Sequence, residues 1–148
     1  MYTETSETYQ QATATPSAFI GGTANARGDF DGTGNPLTLF TVTGTVAMKL
    51  FGRCTVDLAG AGGTVQIGTA LSTAALIALT TGTDIKANEL WHDATPDASI
   101  ELSSVLTEKI VNQNVIETVA TANISSGNIQ YVCLWRAITP GATVTGVN

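Results

Sequence analysis

Apolar and polar residues alternate along the segment 40–58. Every even position carries an apolar residue or a glycine, whereas most odd positions carry threonine or a charged residue. A period of two places alternate side chains on opposite faces of a β-strand, so this segment is predicted to form one long strand. Gly44 and Gly52 fall on the apolar face, and we expect them to let the strand bend or bulge between two packed sheets.

The same rhythm of strands and turns continues to the end of the chain. Segment 59–63 is rich in glycine and is predicted to be the turn of a hairpin whose second strand is 64–69. Apolar residues recur at every fourth position from Leu71, so 71–82 is the one segment predicted to be a short helix. Further strands are predicted at 85–92, 99–102, 105–111, 115–122 and 128–138.

Many short strands with at most one short helix are typical of an antiparallel sandwich or barrel. We therefore predict an all-β fold built as an antiparallel β-sandwich. Within that class, the jelly roll is the predicted member.

Residues 1–36 are polar and small, and they are predicted to form an extended N-terminal arm before a sandwich domain, 37–148, that ends in a short C-terminal tail. Beyond two tyrosines, the bulky apolar residues of the arm are Phe19, Ile20 and Phe30. Such a segment buries too little apolar area to offset its ordering entropy, so it is either disordered or ordered against another surface. Deleting most of the arm is therefore expected to leave the domain folded.

The last predicted strand, 128–138, is apolar on both faces. Its odd positions from 129 to 135 are apolar, and so are three of its even positions. A strand without a wet face is either central in a sandwich or in contact with another subunit. The candidate interaction residues are the apolar residues of the arm and those even positions: Phe19, Ile20, Phe30, Val132, Leu134 and Ile138.

Charge narrows the range of partners. Among the 148 residues, 6 Lys and Arg stand against 12 Asp and Glu, which gives a net charge of -6. No basic cluster is available to neutralise phosphates, so nucleic acid is not expected as a partner. Charged residues make up 12% of the chain, against ~25% in typical soluble domains, which suits a surface that will be covered.

The compartment is predicted from what the sequence lacks. The first residues have neither the basic nor the apolar region of a secretory signal, and no apolar run reaches the roughly 18 residues of a membrane span. We expect synthesis in a cytosol and no membrane partner. Cys54 and Cys133 lie in apolar segments and are predicted to be buried thiols, and the sequence leaves open a disulfide between them.

Candidate chemistry is concentrated in segment 88–101, which holds the single histidine, His92, among four acidic residues. Pro96 prevents a continuous helix, so the spacing of the acidic residues is not a helical stripe, and the Asp-Ala-Thr-Pro-Asp run predicts a turn. The alternative is a weak calcium site that uses Asp93 and Asp97, although calcium needs about six oxygens and this loop offers fewer.

Catalytic signatures are missing from the sequence. One histidine is too few for the metal sites of cupin-like jelly rolls, which use two or more imidazoles. There is no GxSxG elbow, whereas a carboxylate pair for glycoside hydrolysis stays open. We therefore predict no enzymatic activity and no cofactor. Arg27-Gly28-Asp29 spells the tripeptide of integrin ligands and is interpreted as a chance match.

Four segments, taken in order, resemble a known class of protein: VTGTVAMKLFGRCTVDL, GGTVQIGTALSTAALIALTTGTDI, ELWHDATPD and IQYVCLWRAI. Over residues 37–138 the chain resembles small virion proteins of tailed bacteriophages that act as capsid decoration, or cement, proteins. The resemblance implies a β-rich, jelly-roll-like domain on the outside of the head, often a trimer at local three-fold axes, that stiffens the shell against the pressure of the packaged DNA.

The resemblance also implies partners and a location. The partners are the major capsid protein and further copies of this chain, and the location is the virion surface after synthesis in the cytoplasm of a bacterial host. No motif transfers functional residues. Two alternatives stay open, a tail-tube subunit and a virion-displayed glycan or receptor-binding module that uses Trp91 or Trp135 as a sugar platform, although both tryptophans follow the apolar phase of a strand and are expected in the core.

Overall fold

Strands account for most of the alternating segments. The structure, a computed structural model, describes residues 8–97 and 99–148. Within those ranges the chain forms ten strands and two short 3-10 turns, Gly82–Asp84 and Ser103–Val105. The strands are β1 (Gln10–Ala14), β2 (Leu37–Thr43), β3 (Val46–Ala59), β4 (Thr64–Thr69), β5 (Ser72–Thr81), β6 (Leu90–Trp91), β7 (Lys109–Val111), β8 (Val115–Ala120), β9 (Ser126–Ala137) and β10 (Thr143–Gly146).

The strands form two antiparallel sheets of five strands each. One sheet has the order β1-β9-β3-β6, with β7 also paired to β3, and the other has the order β10-β2-β8-β4-β5. Most connections cross from one sheet to the other, so the apolar faces of both sheets enclose one core. The predicted all-β antiparallel sandwich is confirmed.

The pairing between strands is nested. β1 pairs with β9, β2 with β8, β3 with β7 and β4 with β5, as in one long hairpin that has been folded over on itself. The pairs β3–β9 and β4–β8 then join the folded halves side by side. The jelly roll stays a prediction, and this nested order favours it.

The segment 40–58 is not one strand, because the chain changes sheets at Gly44. β2 ends just before this glycine and β3 begins just after it. Gly44 has φ 72, and a Cβ there would lie 2.7 Å from Thr139 Oγ1, so the crossing requires glycine. Gly52 stays inside β3, where a Cβ would lie 2.8 Å from Ile129 Cγ2. The predicted bend is therefore correct for Gly44 and wrong for Gly52.

The predicted helix at 71–82 is wrong. Ser72–Thr81 forms β5, whose 10 residues face only 6 residues of β4. The surplus is taken up by two irregularities in the pairing, and these bulges break the period of two that would have signalled a strand. No helix in the described part of the chain is long and apolar enough to cross a membrane.

The loop between β5 and β8 contains less strand than predicted. The strand predicted at 85–92 shrinks to Leu90–Trp91, and the one at 105–111 shrinks to Lys109–Val111. Residues 99–102 form no strand. This loop is rich in Asp, Ser and Thr, whose side chains bond to nearby backbone and compete with sheet pairing.

The described residues of the predicted arm belong to the sandwich. β1 pairs with β9 over its whole length, from Gln10 opposite Trp135 to Ala14 opposite Tyr131. Phe19 is only 1% exposed and lies in the core. Residues 8–36 are therefore a structural part of the domain, whereas residues 1–7 lie outside the described residues.

Both cysteines are free and buried. Cys54 lies opposite Ile129, and Cys133 lies four residues further along β9, which separates the two by about 13 Å along the ladder. A disulfide needs its Cα atoms within about 7 Å, so this fold does not allow one. Burial raises the pKa of Cys54 to about 11 and that of Cys133 to about 12.

The raised pKa values predict thiols that do not react in the native protein. The thiolate is the reactive form, and at pH 8 these pKa values leave far less of it than in the unfolded chain. We expect native protein to react with a thiol-selective disulfide reagent at least about 100-fold more slowly than protein unfolded in guanidinium chloride. In the unfolded protein both thiols are exposed and should react. A native thiol that reacts at the denatured rate would contradict the burial of these side chains.

Candidate functional site

A buried ionic cluster lies at the centre of the sandwich. Arg27 donates from Nε and Nη2 to the two carboxylate oxygens of Glu117, at 2.8 and 2.7 Å. The Tyr131 hydroxyl donates to the same carboxylate at 2.5 Å. The remaining guanidinium N–H groups donate to Ser17 O, Asn128 Oδ1 and Ile129 O. All five guanidinium donors therefore have acceptors.

This cluster ties the chain together and offers no open face for a substrate. Burial lowers the pKa of Arg27, but the Glu117 carboxylate offsets this effect and the pKa is raised overall. Burial, with the same carboxylate, raises the pKa of Tyr131 well above its usual value. Both groups therefore keep their protons. Because Arg27 is buried, the Arg27-Gly28-Asp29 tripeptide cannot present its guanidinium to a receptor, which supports the interpretation as a chance match.

A second polar cluster lies at the surface, in the segment that follows β6. His92 Nε2 is 3.0 Å from Asp97 Oδ2 and 3.2 Å from Glu101 Oε2. The His92 side chain is 9% exposed, and those of Asp97 and Glu101 are 33% and 20% exposed. We call these three residues the His92 cluster. Among the described residues they are the group of histidine, cysteine and acidic side chains placed to share one metal ion.

Local structure fixes each member of this cluster. Trp91, which precedes His92, is fully buried, and its indole N–H donates to Thr80 Oγ1 at 2.9 Å. Asp97 is held opposite Leu90 by two backbone hydrogen bonds, of 2.8 and 3.1 Å. The backbone N–H of Leu102 donates to Glu101 Oε1 at 2.7 Å, which leaves Oε2 facing the histidine.

The two carboxyl groups of the cluster differ in their affinity for protons. A hydrogen bond with Glu101, followed by burial, raises the pKa of Asp97. The backbone N–H of Leu102, followed by hydrogen bonds with His92 and Asp97, lowers the pKa of Glu101. The pKa values of the two carboxyl groups therefore shift in opposite directions.

The predicted turn is present, but the alternative calcium pair is not. Asp93 Oδ1 accepts a hydrogen bond from Thr95 N at 2.8 Å, the turn chemistry expected for this run. Asp93 lies beside Nδ1 of His92, at 3.8 Å, whereas Asp97 lies beside Nε2. The two carboxylates face opposite ring nitrogens and do not converge on one ion.

An apolar groove of about 190 Å³ borders the His92 cluster on the outer face of the sheet that contains β3 and β9. Leu134 of β9 and Phe51 of β3 form its floor, and Leu102 and Leu106 of the following loop form its wall. The even-numbered side chains of β9 are half-buried and the odd-numbered ones are buried from 129 to 135. β9 is central in its sheet, which is one of the two arrangements predicted for a strand that is apolar on both faces.

Between this groove and the edge strand β5 lie two further recesses, whose lining includes the polar side chains of His92 and Lys109. His92 also borders a second recess, lined in part by Leu76 and Lys109, and these two residues also line a hollow beside Leu71 and Ile110. Several large side chains here are among the most exposed apolar groups of the described residues. We define the outer apolar surface as Phe51, Leu71, Leu102, Leu106, Ile110 and Leu134.

The predicted interaction residues do not form one patch. Phe19 is in the core and Phe30 packs against it, whereas Ile20 is 54% exposed. Val132 and Leu134 share the outer face of β9, and Ile138 lies just beyond the end of that strand, 45% exposed. Of the six, only Leu134 lines the groove. The other five residues of the outer apolar surface were not predicted from the sequence. The available signal was Phe51, an aromatic residue at an odd position of the segment 40–58, where most odd positions are polar.

The two tryptophans belong to the core. Trp91 is fully buried and Trp135 is 5% exposed, so neither offers a ring face on which a sugar could stack. The expectation that both are core residues is confirmed.

No protein-family model, curated protein or solved structure matches this chain.

Proposed function

We propose that this chain is a structural protein of a tailed-phage virion that decorates the capsid by burying its outer apolar surface against the shell. The observation that carries the proposal is the exposure of that surface: Leu71, Leu102 and Ile110 are 84%, 68% and 63% exposed. Leu71 and Ile110 line one hollow, and exposed apolar side chains that lie together mark sites where proteins associate.

The fold and the composition support the same role. The nested pairing of the strands is the arrangement expected of a jelly roll, an architecture used in viral capsids but also in lectins and cupins. Because one fold serves many functions, the fold alone does not select among them. Charged residues make up only 12% of the chain, and interface cores are depleted in charge in the same way.

The proposed partners are the major capsid protein and further copies of this chain, with a trimer as the favoured assembly. A stable interface takes about 20–30 residues and about 800 Å² from each partner, so a single contact confined to the six residues of the outer apolar surface would be weak. A trimer on a lattice makes several such contacts at once. Its attachment is therefore strengthened by avidity without any new contact.

Co-sedimentation with expanded, undecorated heads of the encoding phage tests the proposal. We expect the wild-type chain to saturate at a fixed ratio to capsid subunits. Leu102→Asp and Ile110→Asp should each lower binding at least about tenfold, because each buries a charge at the contact. Val147→Asp, at an exposed position near the C-terminus, is the matched control and should bind as the wild type does.

Two results would overturn the proposal in different ways. Failure of the wild-type chain to bind heads would reject capsid decoration, and assembly of the pure protein into rings or tubes would then favour a tail-tube subunit. Equal binding by all three variants would keep the decoration role but place the contact elsewhere on the molecule.

A further inference from the structure

We propose that His92, Asp97 and Glu101 form a binding site for one divalent transition-metal ion, with Zn²⁺ as the ion that best suits the ligands. This inference rests on the His92 cluster alone and does not depend on the proposed virion role. The site would have one imidazole and two carboxylates as protein ligands. A fourth position would stay open to water or to a donor from another molecule.

The spacing of the donor atoms fits a shared ion. Ligands about 2.1 Å from a metal lie roughly 3.0–3.4 Å apart when the angle between them is that of an octahedral or tetrahedral site. The imidazole Nε2 lies 3.0 Å from the Asp97 oxygen and 3.2 Å from the Glu101 oxygen. All three donor atoms lie within 4.8 Å of one another. An ion can therefore be placed among them with little movement of the side chains.

The cluster is built in the manner of a metal site. The backbone N–H of Leu102 donates a hydrogen bond to Oε1 of Glu101, so the carboxylate presents only Oε2 to the ion. The Asp93 carboxylate lies 3.8 Å from Nδ1, the far nitrogen of the imidazole. At this distance Asp93 forms no hydrogen bond with the ring, but its negative charge favours a cation bound at Nε2.

Electrostatics favour a cation at this point. Two carboxylates converge on one ring nitrogen, and an N–H on Nε2 can donate strongly to only one of them at a time. Without a cation, the like charges of the two carboxylates repel each other beside this nitrogen. A divalent ion would satisfy both carboxylates and the imidazole lone pair together.

The ligand set selects the class of ion. Calcium takes six to eight oxygen ligands and magnesium keeps most of its waters, so neither gains from an imidazole. Zinc and its neighbours bind imidazole and carboxylate together. The ion would fasten the loop after β6 to the sheet, and with it Leu102 and Leu106, which form the wall of the apolar groove.

Isothermal titration calorimetry of the untagged, full-length chain with ZnCl₂ tests the site. We expect one ion per chain, and at least a tenfold weaker affinity for Asp97→Asn and for Glu101→Gln. These near-isosteric changes affect partly exposed side chains, so both variants should fold. Asp84→Asn, at an exposed acidic position outside the cluster, is the matched control and should bind Zn²⁺ as the wild type does.

X-ray absorption of the zinc-loaded chain supplies a second measurement. The chain has one histidine, so a zinc–nitrogen shell from imidazole can come only from His92. The midpoint temperature of thermal unfolding should rise when Zn²⁺ is added to the wild type or to Asp84→Asn, but not when it is added to Asp97→Asn. Absence of zinc binding at millimolar metal, equal affinity in all variants, or tighter binding of Ca²⁺ than of Zn²⁺ would each overturn the proposal.

Discussion

Arg27→Met should lower the free energy of unfolding by about 3–5 kcal/mol, the cost of removing one partner of a buried ion pair. The Arg27 and Glu117 side chains are 2% and 1% exposed, so the substitution leaves a carboxylate in the core without its cation. Tyr131 would remain as a donor to Glu117, but a single neutral hydroxyl cannot replace a bidentate guanidinium. The measurement is urea unfolding at neutral pH.

The double variant Arg27→Met/Glu117→Leu distinguishes the cost of losing the ion pair from the cost of leaving one charge unpaired in the core. Replacing both partners by apolar groups should recover most of the stability, because no charge is then left buried. Arg53→Met is the matched control: Arg53 is exposed and donates to Gln130, so its loss should cost within about 0.5 kcal/mol. A loss of less than about 1 kcal/mol in Arg27→Met would contradict the central role of this pair.

Phe19→Ala should cost about 3–5 kcal/mol, as expected for a large aromatic side chain removed from a close-packed core. Phe19 is 1% exposed, and the Arg27 guanidinium lies 3.9 Å from the centre of its ring. The substitution therefore removes apolar burial and a cation–π contact at once. The neighbouring Ile20→Ala is the control, because Ile20 is 54% exposed and its truncation should cost within about 0.5 kcal/mol.

The same reasoning reverses the expectation that most of residues 1–36 can be deleted without unfolding the domain. A chain that lacks residues 1–30 loses β1, Phe19 and Arg27, and it leaves Glu117 in the core without its cation. Circular dichroism of this truncation should show loss of the cooperative unfolding transition. A truncated chain that unfolds cooperatively with near wild-type stability would show that residues 8–30 are dispensable to the sandwich.

The sequence predicts the fold where one strand face is buried and the ladder is regular. In β9 the alternation of side chains between the two faces matches the alternation of burial, and β3 follows the same rule from Met48 to Cys54. The sequence does not predict β5, because the bulges there remove the alternation of apolar and polar positions. It also fails for residues 8–36, since Arg27 and Glu117 are separated by 90 residues and no local pattern announces their pairing.

The candidate site was only half visible in the sequence. The acidic residues around His92 stood out, and Pro96 correctly indicated a turn instead of a helical stripe. The turn itself brings Asp97 back beside Leu90 and hence beside the histidine. Convergence of this kind depends on the path of the loop, which residue spacing alone does not specify.

The nested pairing of the strands also bears on how the protein is made. β1 leaves the ribosome long before its partner β9, because most of the sandwich lies between them along the chain. Contacts between such distant segments are slow to form, because a long loop must close before any pairing stabilises it. The first strand must therefore stay unpaired until β9 has been synthesised. Until then the sandwich cannot close, and its earlier segments are exposed to chaperones and proteases.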